Sequence, residues 1–350
     1  MARVLMKGNE AIGEAAIIAG CRHYFGYPIT PQNELPAYMA ARLPKVGGTF
    51  LQAESEVAAI NMVYGASAAG ARVMTSSSSP GVSLKQEGIS YMAGAELPAV
   101  VVNMMRGGPG LGNIAGAQGD YFQSVKGGGN GDYHSIVLAP GSVQELADLT
   151  VKAFDLADQY RMVVIILGDG FTGQMSEPIT LPSPTGKTFD KSGWALAGAA
   201  GRQTHLVASM RLNPDDALAG LNAHLQEKYR LVESRETMWD SMELEDADTL
   251  LVAFGLSARI CRSAVSAARK AGVKAGIFRP ITLWPFPASE LAAAARGKKK
   301  VLVVEMNAGQ MVQDVRLAVN GAAPVEFYGT LGGLTPQVEL VVERISSHVG

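Results

Sequence analysis

Two carboxylates, Glu54 and Glu56, stand directly ahead of the run Val57 to Ala71, whose side chains are almost all small or apolar. A helix of that composition is unsuited to water, so it is expected to be buried together with its acidic leader. Free backbone N–H groups and the helix dipole hold a carboxylate at such a position, while loss of water favours its protonated form. That combination suits a group that shares a proton with a heterocycle. A plainer description fits the same residues: Ser55 is an N-cap, and Glu54 and Glu56 merely favour the first turn.

Three further segments follow short β-rich runs, and ligands in open α/β sheets bind beyond the carboxyl ends of strands. In Gly26-Tyr27-Pro28-Ile29-Thr30-Pro31, two prolines fix the backbone around Thr30, whose hydroxyl can donate one oriented hydrogen bond. Thr30 can equally cap a helix opened by Pro31. The hydroxyl-rich run Thr75 to Ser79, before Pro80 and Gly81, suits an anion or a polar heterocycle, or simply a capped turn. The last segment, Asn103-Met104-Met105-Arg106-Gly107-Gly108-Pro109-Gly110, delivers one guanidinium from a buried strand into a glycine-lined space. A bidentate carboxylate partner would offset the cost of burying that charge.

The elements that must position these loops alternate β-rich runs with small-residue helical stretches, which predicts a parallel sheet covered on both faces. In the first half, strands are expected at 22–26, 49–52, 72–76, 98–103, 136–139 and 162–167. Helices at 9–20, 31–41, 56–69, 83–94 and 142–158 separate them, with a long Gly-rich loop at 107–132. Proline-rich sequence without a period then marks a linker at 183–214, so the expected units are 1–182 and 215–350. The second opens with a helix at 215–240 and continues through strands at 249–254, 273–278, 300–305 and 324–328. Its other helices are expected at 257–271, 288–295, 310–319 and 336–347. A length of 350 residues also favours two domains.

Hydrophobic residues make up 47% and charged residues 18%, with 40 glycines, a composition of tightly packed helices, close turns and little polar surface. Part of that surface is expected to lie against other subunits. A net charge of −2 has no basic excess, so no nucleic acid is expected as a partner, and Lys298-Lys299-Lys300 reads as a solvated turn. No apolar stretch reaches the length of a membrane span and Met1 to Val4 begins no signal-peptide core, so the expectation is a cytoplasmic location and no membrane partner. Cys21 and Cys261 lie far apart and outside any C-x-x-C pattern, which makes them inert core residues and leaves no iron–sulfur or zinc ligation to this chain. Gly168-Asp169-Gly170 looks like the start of the diphosphate motif of thiamine enzymes, but the next asparagine, Asn213, is too distant to complete a metal site.

Taken together and in this order, several segments resemble the alpha subunit of the 2-oxoacid:ferredoxin oxidoreductases, particularly the branched-chain (3-methyl-2-oxobutanoate) type. They are Tyr27 to Pro31, Glu54 to Gly70, the serine loop, Asn103 to Gly112, Arg279-Pro280-Ile281-Thr282-Leu283-Trp284-Pro285-Phe286-Pro287 and Val304-Glu305-Met306-Asn307. The resemblance implies an α/β fold of two domains, a thiamine-diphosphate pyrimidine-binding-like parallel sheet followed by a transketolase C-terminal-like α/β domain. It implies thiamine diphosphate shared with a beta subunit that carries the diphosphate and magnesium site, and iron–sulfur clusters on partner subunits. Gamma and ferredoxin-like delta subunits, ferredoxin and coenzyme A complete the expected partners.

By match of motif, Glu56 is the catalytic glutamate that bonds the aminopyrimidine ring nitrogen, with Glu54 its rival. Thr30 matches the substrate-contacting threonine and Arg106 the arginine that binds the 2-oxoacid carboxylate. The implied reaction is oxidative decarboxylation of a 2-oxoacid with coenzyme A, giving acyl-CoA, carbon dioxide and reduced ferredoxin. Two rivals share features with it. The beta subunit of a lipoamide-linked 2-oxoacid dehydrogenase has the same two-domain plan, and a non-catalytic scaffold subunit would only hold a partner. A scaffold does not need Glu56, Thr30 and Arg106 at adjoining strand ends.

Overall fold

Strands buried along their whole length must be covered on both faces, and three such strands build the centre of this molecule. The computed structural model describes residues 3–347. In chain order its first part runs β1 (Val4–Lys7), α1 (Gly8–Ile18), β2 (His23–Gly26), α2 (Glu34–Arg42), β3 (Thr49–Gln52), α3 (Glu56–Ala68), β4 (Val73–Ser77) and α4 (Ser79–Gly94). It continues with β5 (Ala99–Met105), α5 (Tyr121–Val125), β6 (Ile136–Leu138), α6 (Val143–Tyr160), β7 (Val163–Asp169), α7 (Gly170–Gln174) and β8 (Ser176–Ile179). Between β8 and the next helix, over residues 180–216, the chain forms no helix or strand. It lies along the helices of the first part, with the Leu196 N–H on the Ala68 carbonyl at 2.8 Å and the Trp194 ring under the Arg161 guanidinium at 4.7 Å.

The second part consists of α8 (Ala217–Arg235), β9 (Trp239–Met242), β10 (Thr249–Val252), α9 (Gly255–Lys270), β11 (Ala275–Pro280), β12 (Thr282–Trp284), α10 (Ala288–Ala295), β13 (Lys300–Glu305), α11 (Met311–Val319), β14 (Val325–Gly329) and α12 (Val338–Ser346). The fold is α/β throughout, built on two sheets. Seven strands form the larger, in the order β12-β6-β7-β5-β4-β2-β3, and five the smaller, in the order β14-β13-β10-β11-β9. Both have parallel centres, as the alternation of strand and helix requires.

Several elements depart from the sequence expectations, each for a physical reason. Helix α4 opens at Ser79 rather than at residue 83, because Pro80 occupies a first-turn position where its missing N–H costs nothing. The helix expected from Pro31 starts only at Glu34, with Asn33 as its N-cap residue. The stretch 215–240 is not one helix, since α8 stops at Arg235 and Trp239–Met242 pairs antiparallel with β11. Strands β1 and β8 pair into a two-stranded ribbon that no local pattern announced. Strand β12 returns from the second part to the first sheet, where Thr282 and Trp284 lie opposite Leu138 and Val137. Lys300 is no solvated turn: its side chain is buried in β13, and its ammonium donates to the carbonyls of Arg344 and Ser347 at 2.7 and 2.6 Å.

The Gly-rich segment 107–132 seams the two sheets. Gln118 binds across them with every polar atom: its Nε2 donates to the Phe254 carbonyl at 2.9 Å, and its Oε1 accepts from Ser257 Oγ at 2.8 Å and from the Met306 N–H at 3.0 Å. Tyr121 Oη donates to Asp314 at 2.6 Å. Buried Arg279 pairs with Glu145 at 2.6 Å, and Trp284 stacks on His134 with centroids 4.7 Å apart, so the Arg279 to Pro287 segment also serves the seam. One hydrophobic cluster accordingly extends from α1 and β5 through Phe254, Phe278 and Val303.

Truncation of Gln118 leaves the Met306 N–H and the Ser257 hydroxyl buried without the partner each has there, at about 1–3 kcal/mol apiece, and leaves the Phe254 carbonyl with the Ala258 N–H alone. Gln118→Ala is therefore expected to lower unfolding stability by roughly 3 kcal/mol or more in urea titrations. An unchanged midpoint would show that the seam does not hold the two sheets together.

Candidate active site

Strands β3, β2, β4 and β5 are immediate neighbours and parallel, so the four segments that follow them open along one edge of the sheet. This adjacency gathers Thr30, Glu56, the serine run and Arg106.

Ser55 is extended and caps α3, its Oγ accepting from the Ala58 N–H at 3.1 Å. That cap turns the next side chain inward: Glu56 is 5% exposed. Glu54 is exposed, so of the expected acidic pair only Glu56 is buried. Ser77 Oγ donates to Glu56 Oε1 at 3.4 Å, and Oε2 has no hydrogen-bond partner among the described residues. Space for the carboxylate comes from Gly81 on α4, where a Cβ would overlap both Ser77 Oγ and Glu56 Oε1. Two turns further along the same helix, a Cβ on Gly88 would approach Ile60 to 2.6 Å, so both glycines are needed for α4 to lie this close to α3.

Arg106 leaves the end of β5 and is 7% exposed. Its Nη1 donates to the Thr30 carbonyl at 2.9 Å and its Nη2 to the Leu111 carbonyl at 3.0 Å, while Nε is buried without a partner. Among the described residues no carboxylate meets this guanidinium, so the partner expected from the sequence is not supplied by any of them. Behind it, Ser79 Oγ accepts from the Arg106 N–H at 3.1 Å and donates to Asp120 at 2.5 Å, and Asn103 Nδ2 donates to the same carboxylate oxygen at 2.9 Å. Burial pushes the Asp120 carboxyl up from the usual aspartate range, against the pull of those two donors.

Thr30 is partly exposed. Its Oγ1 accepts from Asn33 Nδ2 at 3.2 Å, which leaves the hydroxyl proton free to donate. It therefore does not cap α2 with its side chain. The serine run is committed mainly to the protein: Ser76 binds Tyr24 and Gln32, Ser77 binds Glu56, and Ser79 binds Asp120, whereas Ser78 Oγ is buried and unpartnered.

Lys85 was not singled out from the sequence and sits against this site. It is fully buried on α4, and its Nζ donates to Thr75 Oγ1 at 3.1 Å and lies 3.5 Å from the Glu56 carbonyl. Burial drives its ammonium down to about 8, a fall that the charge of Glu56 opposes. A sequence signal existed, because Gly81, Val82, Gly88 and Ile89 place position 85 on the buried stripe of the helix. Asp120 offered no such signal. Asp169 caps α7, accepting from the Thr172 N–H and hydroxyl at 3.0 Å. Cys21 and Cys261 are buried, and burial pushes both thiols up, Cys21 to about 12.

Residues 14–240 match the family described as pyruvate flavodoxin/ferredoxin oxidoreductase, thiamine diphosphate-binding, and residues 247–341 match pyruvate:ferredoxin oxidoreductase core domain II. The ketoisovalerate oxidoreductase subunit VorB of Methanothermobacter thermautotrophicus is 49% identical over all of this chain and 99% of its own length. The 2-oxoglutarate synthase subunit KorA of Methanothermobacter marburgensis is 36% identical, with 97% of each chain covered. Among solved structures, the 2-oxoglutarate:ferredoxin oxidoreductase from Magnetococcus marinus superposes with a TM-score of 0.87 at 29% identity, over 98% of this chain and 65% of that one. A split-gene transketolase, at 15% identity and a TM-score of 0.61, shares the fold. The chain therefore belongs to the 2-oxoacid:ferredoxin oxidoreductases, as a subunit of such an enzyme.

Proposed function

We propose that this chain is the alpha-type subunit that completes a thiamine-diphosphate site shared with a beta subunit, for oxidative decarboxylation of a branched-chain 2-oxoacid. The products are acyl-CoA, carbon dioxide and reduced ferredoxin. The reading is carried by one observation: a buried carboxylate with a free oxygen, Glu56, and a buried guanidinium that meets no anion among the described residues, Arg106, adjoin the same serine run, one through Ser77 and the other through Ser79. The free Oε2 is the acceptor that an aminopyrimidine ring nitrogen needs, and the chain's own groups leave it open. When bound, thiamine diphosphate supplies the nucleophilic carbon and the electron sink for loss of carbon dioxide.

In this reading Glu56 holds a proton at the pyrimidine nitrogen, steadied by the N-terminus of α3. Arg106 receives the carboxylate of the 2-oxoacid, and the Thr30 hydroxyl donates to the same substrate, so both hold it for attack. The branched-chain preference rests on the ketoisovalerate relative, at 49% identity against 36% for the 2-oxoglutarate one. Magnesium and the iron–sulfur clusters belong to partner subunits, with gamma and ferredoxin-like delta chains completing the assembly. Two buried cysteines in this chain agree with that division. Exposed Val57 and Leu84 on α3 and α4, and Leu111 and Ile114 in the loop after Arg106, give a partner chain apolar surface to cover beside the site. The units 1–182 and 215–350 are proposed as the pyrimidine-binding-like and transketolase C-terminal-like domains. No described helix is long and apolar enough to cross a membrane, in keeping with the proposed cytoplasmic location.

The test is coexpression with partner subunits. The assembly should reduce ferredoxin or a viologen with coenzyme A and 3-methyl-2-oxobutanoate, at higher kcat/KM than with pyruvate or 2-oxoglutarate; the reverse order would remove the branched-chain assignment. Glu56→Gln is expected to slow exchange of the C2 proton of bound thiamine diphosphate by about 10²–10⁴-fold with the subunits still associated. Normal exchange in that variant would reject Glu56 as the proton partner. Arg106→Ala should lower kcat/KM for the oxoacid by about 100-fold, the worth of a charge-assisted contact of roughly 3 kcal/mol.

A further inference from the structure

An aspartate just ahead of a helix ordinarily accepts from the N–H groups of the first turn, and Asp120 stands at that position of α5 without making such a bond. Gln310, from the second half of the chain, accepts from the Phe122 N–H instead, at 2.8 Å. The Asp120 side chain turns the other way, where one oxygen accepts from Ser79 Oγ at 2.5 Å and from Asn103 Nδ2 at 2.9 Å. Asn103 closes the ring, its Oδ1 accepting from the Ser79 N–H at 3.1 Å. We propose that Asp120 is a positioning residue for the oxoacid: through Ser79 it fixes the backbone of Arg106, and with it the direction of the guanidinium. The inference rests on Arg106 as the receiver of the substrate carboxylate and adds what aims that residue.

The polarity of one hydroxyl carries the effect. Ser79 Oγ has a single proton and lies 2.5 Å from Asp120, 3.1 Å from the Arg106 nitrogen and 3.3 Å from the Arg106 carbonyl oxygen. A carboxylate at the shortest of these distances takes the proton, which leaves a lone pair of the hydroxyl for the Arg106 N–H. Without that acceptor the hydroxyl is free to turn its proton toward the Arg106 carbonyl, and the N–H loses its hold. The guanidinium rests on carbonyls of two loops, at Thr30 and Leu111, so its place depends on where the main chain at the end of β5 starts it. Among the described residues no carboxylate meets the guanidinium, so Asp120 acts on it through the backbone.

Asp120 can serve as a fixed point because the chain around it is held by the second sheet. Two residues earlier, Gln118 donates to the Phe254 carbonyl and accepts from the Met306 N–H, and Asn307 Nδ2 donates to the Gln118 carbonyl at 2.8 Å. The segment leading to Gln118 also runs along the arginine, since Arg106 and Gly116 pair as an antiparallel bridge. Arg106 is thus held on one side by that returning segment and on the other by Ser79.

A double-mutant cycle in the assembly with partner subunits tests this. Asp120→Ala should lower kcat/KM for 3-methyl-2-oxobutanoate by about tenfold, while exchange of the C2 proton of bound thiamine diphosphate, in which no oxoacid takes part, keeps its rate. In an Arg106→Ala background the same substitution should cost less than about twofold, because the residue it aims is gone. An equal loss in both backgrounds, no loss in either, or slowed C2 exchange would overturn Asp120 as a positioning residue and leave Arg106 standing. If Arg106→Ala by itself leaves kcat/KM unchanged, the role of Arg106 fails and the inference with it. Should Asp120→Ala not assemble, Ser79→Ala, which removes the linking hydroxyl, is run through the same cycle and decides by the same outcomes.

Discussion

The site depends on one packing constraint, the approach of α4 to the first turn of α3. Gly81 and Gly88 permit it, since side chains at either position would strike Glu56, Ser77 or Ile60. The same approach buries Glu56, places Ser77 Oγ on its carboxylate and brings the Lys85 ammonium behind it. A carboxylate in that position is stabilised by the free N–H groups of the turn it opens, which is why burial here does not require a direct ion pair.

A second constraint holds Arg106, the residue proposed to receive the substrate carboxylate. The Arg106 guanidinium rests on two carbonyls, and its backbone is tied through Ser79 to Asp120. Asp120 is in turn held by Asn103, which lies within β5, so the arginine is braced by a strand buried along its whole length. Carbonyl contacts cost little to replace, and they leave the guanidinium charge unneutralised. Such an arrangement is preorganised for a small carboxylate without being saturated by the protein.

The seam between the sheets belongs to the same design. Gln118, Tyr121 and Asn113 tie the loop after Arg106 to the second half of the molecule, so that loop is stiffened by residues far away in sequence. The pair between Arg279 and Glu145 and the stack of Trp284 on His134 give the Arg279 to Pro287 segment a structural purpose. Its place is at the joint between the sheets.

The α/β class, the parallel sheet of the first half and the placement of Glu56, Thr30 and Arg106 at strand ends were legible in the chain, because strand-ending loops of unusual composition and a small-residue helix are local patterns. Local pattern could not separate Glu54 from Glu56, since the two differ only in which way the Ser55 cap turns them. Nor could it expose Asp120 or Lys300, whose burial depends on partners remote in sequence: Ser79 and Asn103, Arg344 and Ser347. Strands β9 and β12 were likewise invisible, being three or four residues long and made by pairing alone. By itself, then, the sequence determined which residue types stand at the ends of which strands, because periodicity and turn chemistry act over a few residues. Which of those side chains lose water, and which charges come to face one another, was decided only when α3 and α4 closed and the two sheets met, because desolvation and Coulomb energy depend on distance in space.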